Sequence, residues 1–232
     1  MASLVVLLAH GSPDPRSSAA VEELADRLES FLSGPTVRVA YLNHNWPTLT
    51  AAVGRERDAG SVQDVVVLPL LLSQASHALR DVPAAVADAQ RDSRITITVG
   101  ETVGMELDLA LALDSQVTPG SPIVLAWAGG RSEQAQMATA ALVDAWQKAT
   151  GREVVAAAAN ESGDLLRAAA AELHERTGIV PALATFTLFP GVLADQVLAV
   201  SAALGLPATT PLFQQPALLE ILARRLWQTT SA

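Results

Sequence analysis

Two uninterrupted apolar runs stand out along the chain, Leu4–Ala9 and Val65–Leu72. Each is too short to span a bilayer, and each suits a strand buried on both faces of a parallel sheet. Around them the hydrophobic period changes. Ser17–Leu32 is amphipathic at helical spacing, and Thr36–Leu42 alternates and is rich in β-branched residues. A helix is predicted from Pro47 to about Ala59, because proline suits a first helical turn. After the second apolar run, Ser73–Ser76 reads as a loop, His77–Pro83 leads into a helix ending near Arg91, Ile95–Val99 is a strand and Gly104–Leu113 a helix. Pro69 cannot donate to a ladder, which predicts a bend or a sheet edge at that point.

Asp114–Pro122 has turn composition, and the pattern then starts again. Ile123–Ala126, Glu153–Ala159 and Pro181–Leu188 read as strands. Ser132–Thr150, Gly163–Arg176, the segment after Gly191 to Leu204, and Ala217–Gln228 read as helices. Strands alternating with helices predict parallel sheets with right-handed crossovers. The halves can be superposed, with Leu8-Ala9-His10-Gly11-Ser12 against Leu125-Ala126-Trp127-Ala128-Gly129 and Val67–Leu72 roughly against Ala184–Leu188. The expected fold is α/β: two similar doubly wound domains, residues 1–116 and 117–232, with parallel sheets facing across a cleft. In this alignment Trp127 stands where the first half has His10, and nothing in Phe189–Asp195 matches His77. The second domain is therefore read as a degenerate repeat and the first as the carrier of the site.

Composition narrows the chemistry. Half of the 232 residues are hydrophobic, enough for a sizeable core, and no basic amino terminus precedes Leu4–Ala9 and no cleavage pattern follows it, so the expectation is a cytoplasmic protein. Cysteine is absent, which removes disulfides, thiolate nucleophiles and cysteine-built metal sites. A net charge of −9 with a single lysine, Lys148, argues against nucleic acid as a partner. No Gly-x-Ser-x-Gly elbow occurs, which disfavours a serine hydrolase.

Ligands in open α/β sheets sit beyond the carboxyl ends of the strands. His10 and His77 both follow inner-strand candidates. Either one alone could merely cap a strand end, but two imidazoles at equivalent strand ends suit a borderline divalent metal, and a histidine can also accept protons.

These residues carry a resemblance. Leu7–Arg16 (LLAHGSPDPR) together with Val67–Pro83 (VLPLLLSQASHALRDVP) resembles the class II, ATP-independent sirohydrochlorin chelatases, the cobalt and iron chelatases, in their long two-domain form. The resemblance implies insertion of Co²⁺ or Fe²⁺ into a tetrapyrrole held between two domains of a monomer, with the metal as substrate and with no ATP, organic cofactor or membrane involved. It assigns His10 as metal ligand and acceptor of pyrrole protons and His77 as second ligand. Ser12, Ser73, Gln74 and Ser76 would approach the macrocycle. The family commonly places a carboxylate after the second strand, where this chain has Asn43 in Tyr41-Leu42-Asn43-His44-Asn45-Trp46-Pro47. An amide is a weaker ligand and no base, so either His44 substitutes, or metal affinity falls, or activity is lost. Arg16 and Arg80 could hold substrate carboxylates or pair with Asp14 and Asp81, and Trp46 could stack on a macrocycle or pack. His174 is expected on an exposed helix face.

Two other readings remain. A strand ending in His-Gly before a helix also resembles the histidine phosphatases, although they place arginine before the histidine and this chain has Ala9. A tetrapyrrole or metal carrier could keep the cleft while lacking the carboxylate.

Overall fold

In the computed structural model, which describes residues 4–60, 62, 64–72, 80–130 and 132–231, the first apolar run forms β1 (Leu4–Ala9), buried along its whole length. It lies between β2 (Thr36–Tyr41) and β3 (Asp64–Pro69), and β4 (Thr96–Val99) pairs outside β3. All pairings are parallel and the order is β2-β1-β3-β4. An inner strand has no wet face, which is why β1 needs six consecutive apolar residues.

The connecting helix α1 (Pro15–Leu32) starts where Asp14 accepts the Arg16 N–H at 2.9 Å and ends at Ser33 in the left-handed region. It buries Ala20, Val21, Leu24, Ala25 and Leu28, one stripe at helical spacing. Helices α2 (Leu49–Asp58) and α3 (Val82–Ser93) pack Leu49, Ala52, Val53, Val82, Val86 and Ala89 against Leu4, Val6, Leu8, Val65 and Val67. Each buried leucine or valine there contributes roughly 2 kcal/mol.

In the second unit β5 (Ile123–Trp127) lies between β6 (Val154–Ala158) and β7 (Ala182–Thr185), again all parallel. Helix α5 (Glu133–Thr150) follows β5. Helices α6 (Asp164–Thr177) and α7 (Val192–Leu204) supply Leu166, Ala170, Leu173, Val197 and Val200 to a core with Val124, Ala126 and Leu183. The place of β4 is reduced to one bridge, Leu183 to Ala208. No described helix is long and apolar enough to cross a membrane.

Three sequence expectations change. First, the division falls not at 116/117 but at Gly104/Met105, and the last helix returns: one unit is Met1–Gly104 with Pro216–Ala232, the other Met105–Gln215. Helix α4 (Leu107–Asp114) packs on α5 and β7, and α8 (Pro216–Thr230) packs on α1 and β3. The two helices follow corresponding points of the repeats: Gly104 N–H donates to Leu71 O at 3.0 Å, and Leu212 N–H to Thr187 O at 2.9 Å. The repeats have thus exchanged their closing helices. Ownership of a helix is decided by which bare sheet face accepts its apolar stripe, and chain order does not record that.

Second, the repeat register shifts by one. Leu42 N–H donates to Ala9 O at 2.9 Å, as Ala159 N–H does to Trp127 O at 2.8 Å; Leu70 to Leu8 likewise matches Phe186 to Ala126. Ala9 therefore corresponds to Trp127, and the counterpart of His10 is Ala128. The positive-φ glycines Gly11 and Gly129 and the helix caps Asp14 and Ser132 fall into the same register. Matching Leu-Ala to Leu-Ala fits composition, but a slip of one turns every strand side chain to the other face.

Third, Pro69 is the last residue of an inner strand, not of an edge. The β3–β4 ladder ends at Val67 and Val99, with Gly100 N–H donating to Val67 O, so it stops just before the residue that has no N–H to give. The expected bend is present: Leu71 N–H donates back to Pro69 O at 3.0 Å.

Candidate functional site

The order β2-β1-β3 reverses direction between β1 and β3, which makes the carboxyl end of β1 a topological switch point. His10 is the first residue past that end and is half-buried. Its Nδ1 lies 3.1 Å from Gly11 O. With the proton on Nδ1 this is a donated hydrogen bond, and the ring's lone pair is then on Nε2.

The loop after β1 is knitted to the loop after β2. Asn43 N–H donates to His10 O at 2.9 Å, and Ser12 N–H donates to Asn45 Oδ1 at 2.7 Å. Gly11 fits because it has no side chain: its φ is +90° and a Cβ there would lie 1.8 Å from Asn43 O. Between those two asparagines, Asn45 N–H donates to Asn43 O at 2.7 Å around His44, whose φ is +62°. That combination belongs to the rare γ-turn with a positive central φ. His44 is exposed, and its ring centroid is 6.3 Å from that of His10, with the planes tilted by 41°.

The structure thus brings His10, Ser12, Asn43 and His44 together. His77, Ser73, Gln74 and Ser76 lie outside the described residues. Asn43 is exposed and its backbone, rather than its amide, does the structural work. Ser12 Oγ accepts the Asp14 N–H at 3.1 Å. Arg16 is held by Asp14 through Nε contacts of 3.1 Å to both carboxylate oxygens, and those hydrogen bonds keep the Asp14 carboxyl below its ordinary pKa. Arg80 is exposed just ahead of α3. Trp46 is 59 % exposed and carries Arg55 over its ring at 4.1 Å, a surface cation–π pair rather than core packing. Trp127 is half-buried, holds in the second repeat the position that Ala9 has in the first, and packs over Gly130. His174 is exposed, as expected, with Nδ1 3.0 Å from Ile179 O at the end of α6.

Sequence reasoning missed Asn45, whose side chain joins the two loops; only its closeness to Asn43 and His44 marked it. It also missed Tyr41, the last residue of β2, 3 % exposed, whose hydroxyl has no hydrogen-bond partner among the described residues. Burial, with the Glu22 charge adding to it, pushes that phenol up to about 12. Among the described residues no group of three or more His, Cys, Asp or Glu is gathered as a closed metal cage.

Two all-parallel units, with a histidine just past the switch point of one, define a two-unit α/β protein with a candidate ligand site at the end of β1. The chain matches the CbiX family over residues 4–119 and belongs to that family. A sirohydrochlorin cobaltochelatase of Methanopyrus kandleri is 37 % identical over 79 residues, 34 % of this chain and 54 % of that protein, so the match spans about half of that relative's length. The sirohydrochlorin ferrochelatase of Bacillus subtilis is 21 % identical over 205 residues, covering 85 % of this chain and 78 % of its own. The solved structure of SirB from Bacillus subtilis with Fe³⁺ superposes with a TM-score of 0.82 at 19 % identity, covering 99 % of this chain and 96 % of that one. At that identity the likeness establishes the fold.

Proposed function

We propose that the protein inserts a divalent metal, Co²⁺ or Fe²⁺, into sirohydrochlorin. The observation that carries this reading is His10 at the carboxyl end of the central strand β1, at the switch point of a CbiX-family sheet. Insertion exchanges two pyrrole N–H protons for one M²⁺, so a base must receive protons where the ion is delivered. His10 serves as ligand through Nε2 and takes up one of the two protons as the ion leaves, while the other passes to solvent. An open site with few neutral ligands releases its ion more readily than a closed cage of carboxylates.

In this reading His77 is the second ligand, and Ser12, Ser73, Gln74 and Ser76 face the macrocycle. Arg16 stays with Asp14, and Arg80 remains the cation of choice for a substrate carboxylate. The chain acts as a cytoplasmic monomer, and the reaction as written needs no nucleotide or organic cofactor. A phosphatase reading finds no support at Ala9, a buried alanine where arginine would be needed.

The test is anaerobic incubation of sirohydrochlorin with Co²⁺ or Fe²⁺, followed by absorption. The protein should accelerate the spectral change, and His10→Ala should abolish the acceleration. Pigment binding without acceleration would instead make the protein a carrier, the outcome to which Asn43 in place of a carboxylate points. Full activity in His10→Ala would remove the assignment.

A further inference from the structure

We propose that His44 is a nitrogen ligand to the same ion as His10, held in place by Asn45, and that this nitrogen pair tilts the site toward later divalent metals. The inference rests on the chelatase reading for its biological sense, but its geometry stands apart from it.

A non-glycine residue at φ +62° inside an i to i+2 turn is held against its own preference, and such strain persists only where the surroundings over-determine it. Three contacts do so here. Asn43 N–H is tied to His10 O, Asn45 N–H to Asn43 O, and Asn45 Oδ1 to Ser12 N–H. The backbone is thus pinned on both sides of His44, while its imidazole stands exposed beside His10. An ion bound through nitrogen lies about 3.2 Å from the centroid of its ring, so two rings on one ion have centroids at most about 6.4 Å apart. The observed 6.3 Å lies just inside that limit, which is reached only with the two nitrogens on opposite sides of the ion; the tetrahedral spacing of about 5.2 Å requires a rotation of the exposed His44 side chain toward His10.

Imidazole in place of a carboxylate changes selectivity. Nitrogen donors favour the later first-row ions, whereas carboxylates suit Mg²⁺, Ca²⁺ and Mn²⁺. The site should hold Co²⁺ well above Mn²⁺. Asn45 touches neither ion nor pigment in this scheme. It is a positioning residue that acts through the turn.

The test uses the metals alone, titrated calorimetrically into the full chain. His44→Gly removes the ring at a φ that glycine adopts without strain, so the fold is kept. It should lower Co²⁺ affinity by at least the 10–100-fold typical of outer-shell changes while leaving Mn²⁺ affinity within a few-fold. Asn45→Ala should lower Co²⁺ affinity about tenfold, and Asn45→Asp, which keeps an acceptor for Ser12 N–H, should restore most of it. Equal losses for Co²⁺ and Mn²⁺, or Co²⁺ binding unchanged in His44→Gly, would overturn the proposal even if the parent inserts metal into sirohydrochlorin. A Co²⁺ preference that depends on His44 supports it even if the parent inserts none.

Discussion

Gly11→Ala tests the packing of the site most directly. The new methyl would meet Asn43 O at 1.8 Å and Asn43 C at 2.9 Å, both backbone atoms, at a φ of +90°. The left-handed conformation alone costs an alanine roughly 1–2 kcal/mol. Relieving the overlap means moving a carbonyl by more than 1 Å. That carbonyl accepts from Asn45, and its own residue's N–H donates to His10 O. Losing two such bonds costs about 2 kcal/mol more, since each contributes roughly 0.5–1.5. The total is on the order of 3–4 kcal/mol, which in a chain of this size lowers Tm by roughly 10 °C. Differential scanning calorimetry of parent and variant measures it, and Co²⁺ affinity should fall in parallel because His10 and His44 lose their common frame. Gly54→Ala is the control: it lies inside α2 with nothing within 4 Å of the added Cβ, so about 0.5–1 kcal/mol of stabilisation is expected. If Gly11→Ala melts within about 2 °C of the parent, the clamp between the loops does not exist as described.

Other outcomes follow from single residues. Tyr41 is the only tyrosine, so a spectrophotometric titration should show one phenol ionising near 12 in the native protein, against its ordinary 10.0 after denaturation. Because the folded state holds that proton more tightly, stability should fall as pH rises from about 10 to 12. Tyr41→Phe should remove the decline and, by deleting an unpaired buried hydroxyl, be neutral or stabilising by about 1 kcal/mol in urea unfolding. The Asp14 carboxyl is the opposite case: its pKa is lowered from 3.8, so its contribution is present at neutral pH and fades as pH drops through the folded value. Asp14→Asn keeps the cap and should flatten the acid limb of a Tm-against-pH curve. Trp146 is wholly buried and donates Nε1–H to Asp114 at 2.9 Å, so Trp146→Ala should destabilise the second unit by about 3–5 kcal/mol in urea unfolding.

Much of this was legible from periodicity. The buried strands, the parallel alternation and the placing of His10 at a strand end all come from apolar runs and punctuation, since an inner strand can be made of little else. The repeat was legible too, but its register was not. Composition matched Leu8-Ala9 to Leu125-Ala126, whereas hydrogen bonds to the neighbouring strands and the positive-φ glycines fix Ala9 to Trp127. Asn45 was invisible because a side chain that accepts one backbone N–H from a loop 33 positions away leaves no local signal. The left-handed turn at His44 was equally hidden, since nothing in a histidine announces a positive φ. The unit boundary was missed because α4 and α8 carry ordinary apolar stripes that fit either sheet.

The exchange of α4 and α8 sets a timetable for synthesis. As the chain emerges, the first unit has its strands early but keeps one face of β3 bare until Pro216–Thr230 has left the ribosome. Met105–Gln215 holds all of its own parts by then and can mature first, so the half made second should be the half finished first. A fragment ending near residue 116 would carry one helix, α4, with no sheet to cover and one sheet whose β3 lacks the helix that packs on it, a combination that invites a second fragment to supply what is missing.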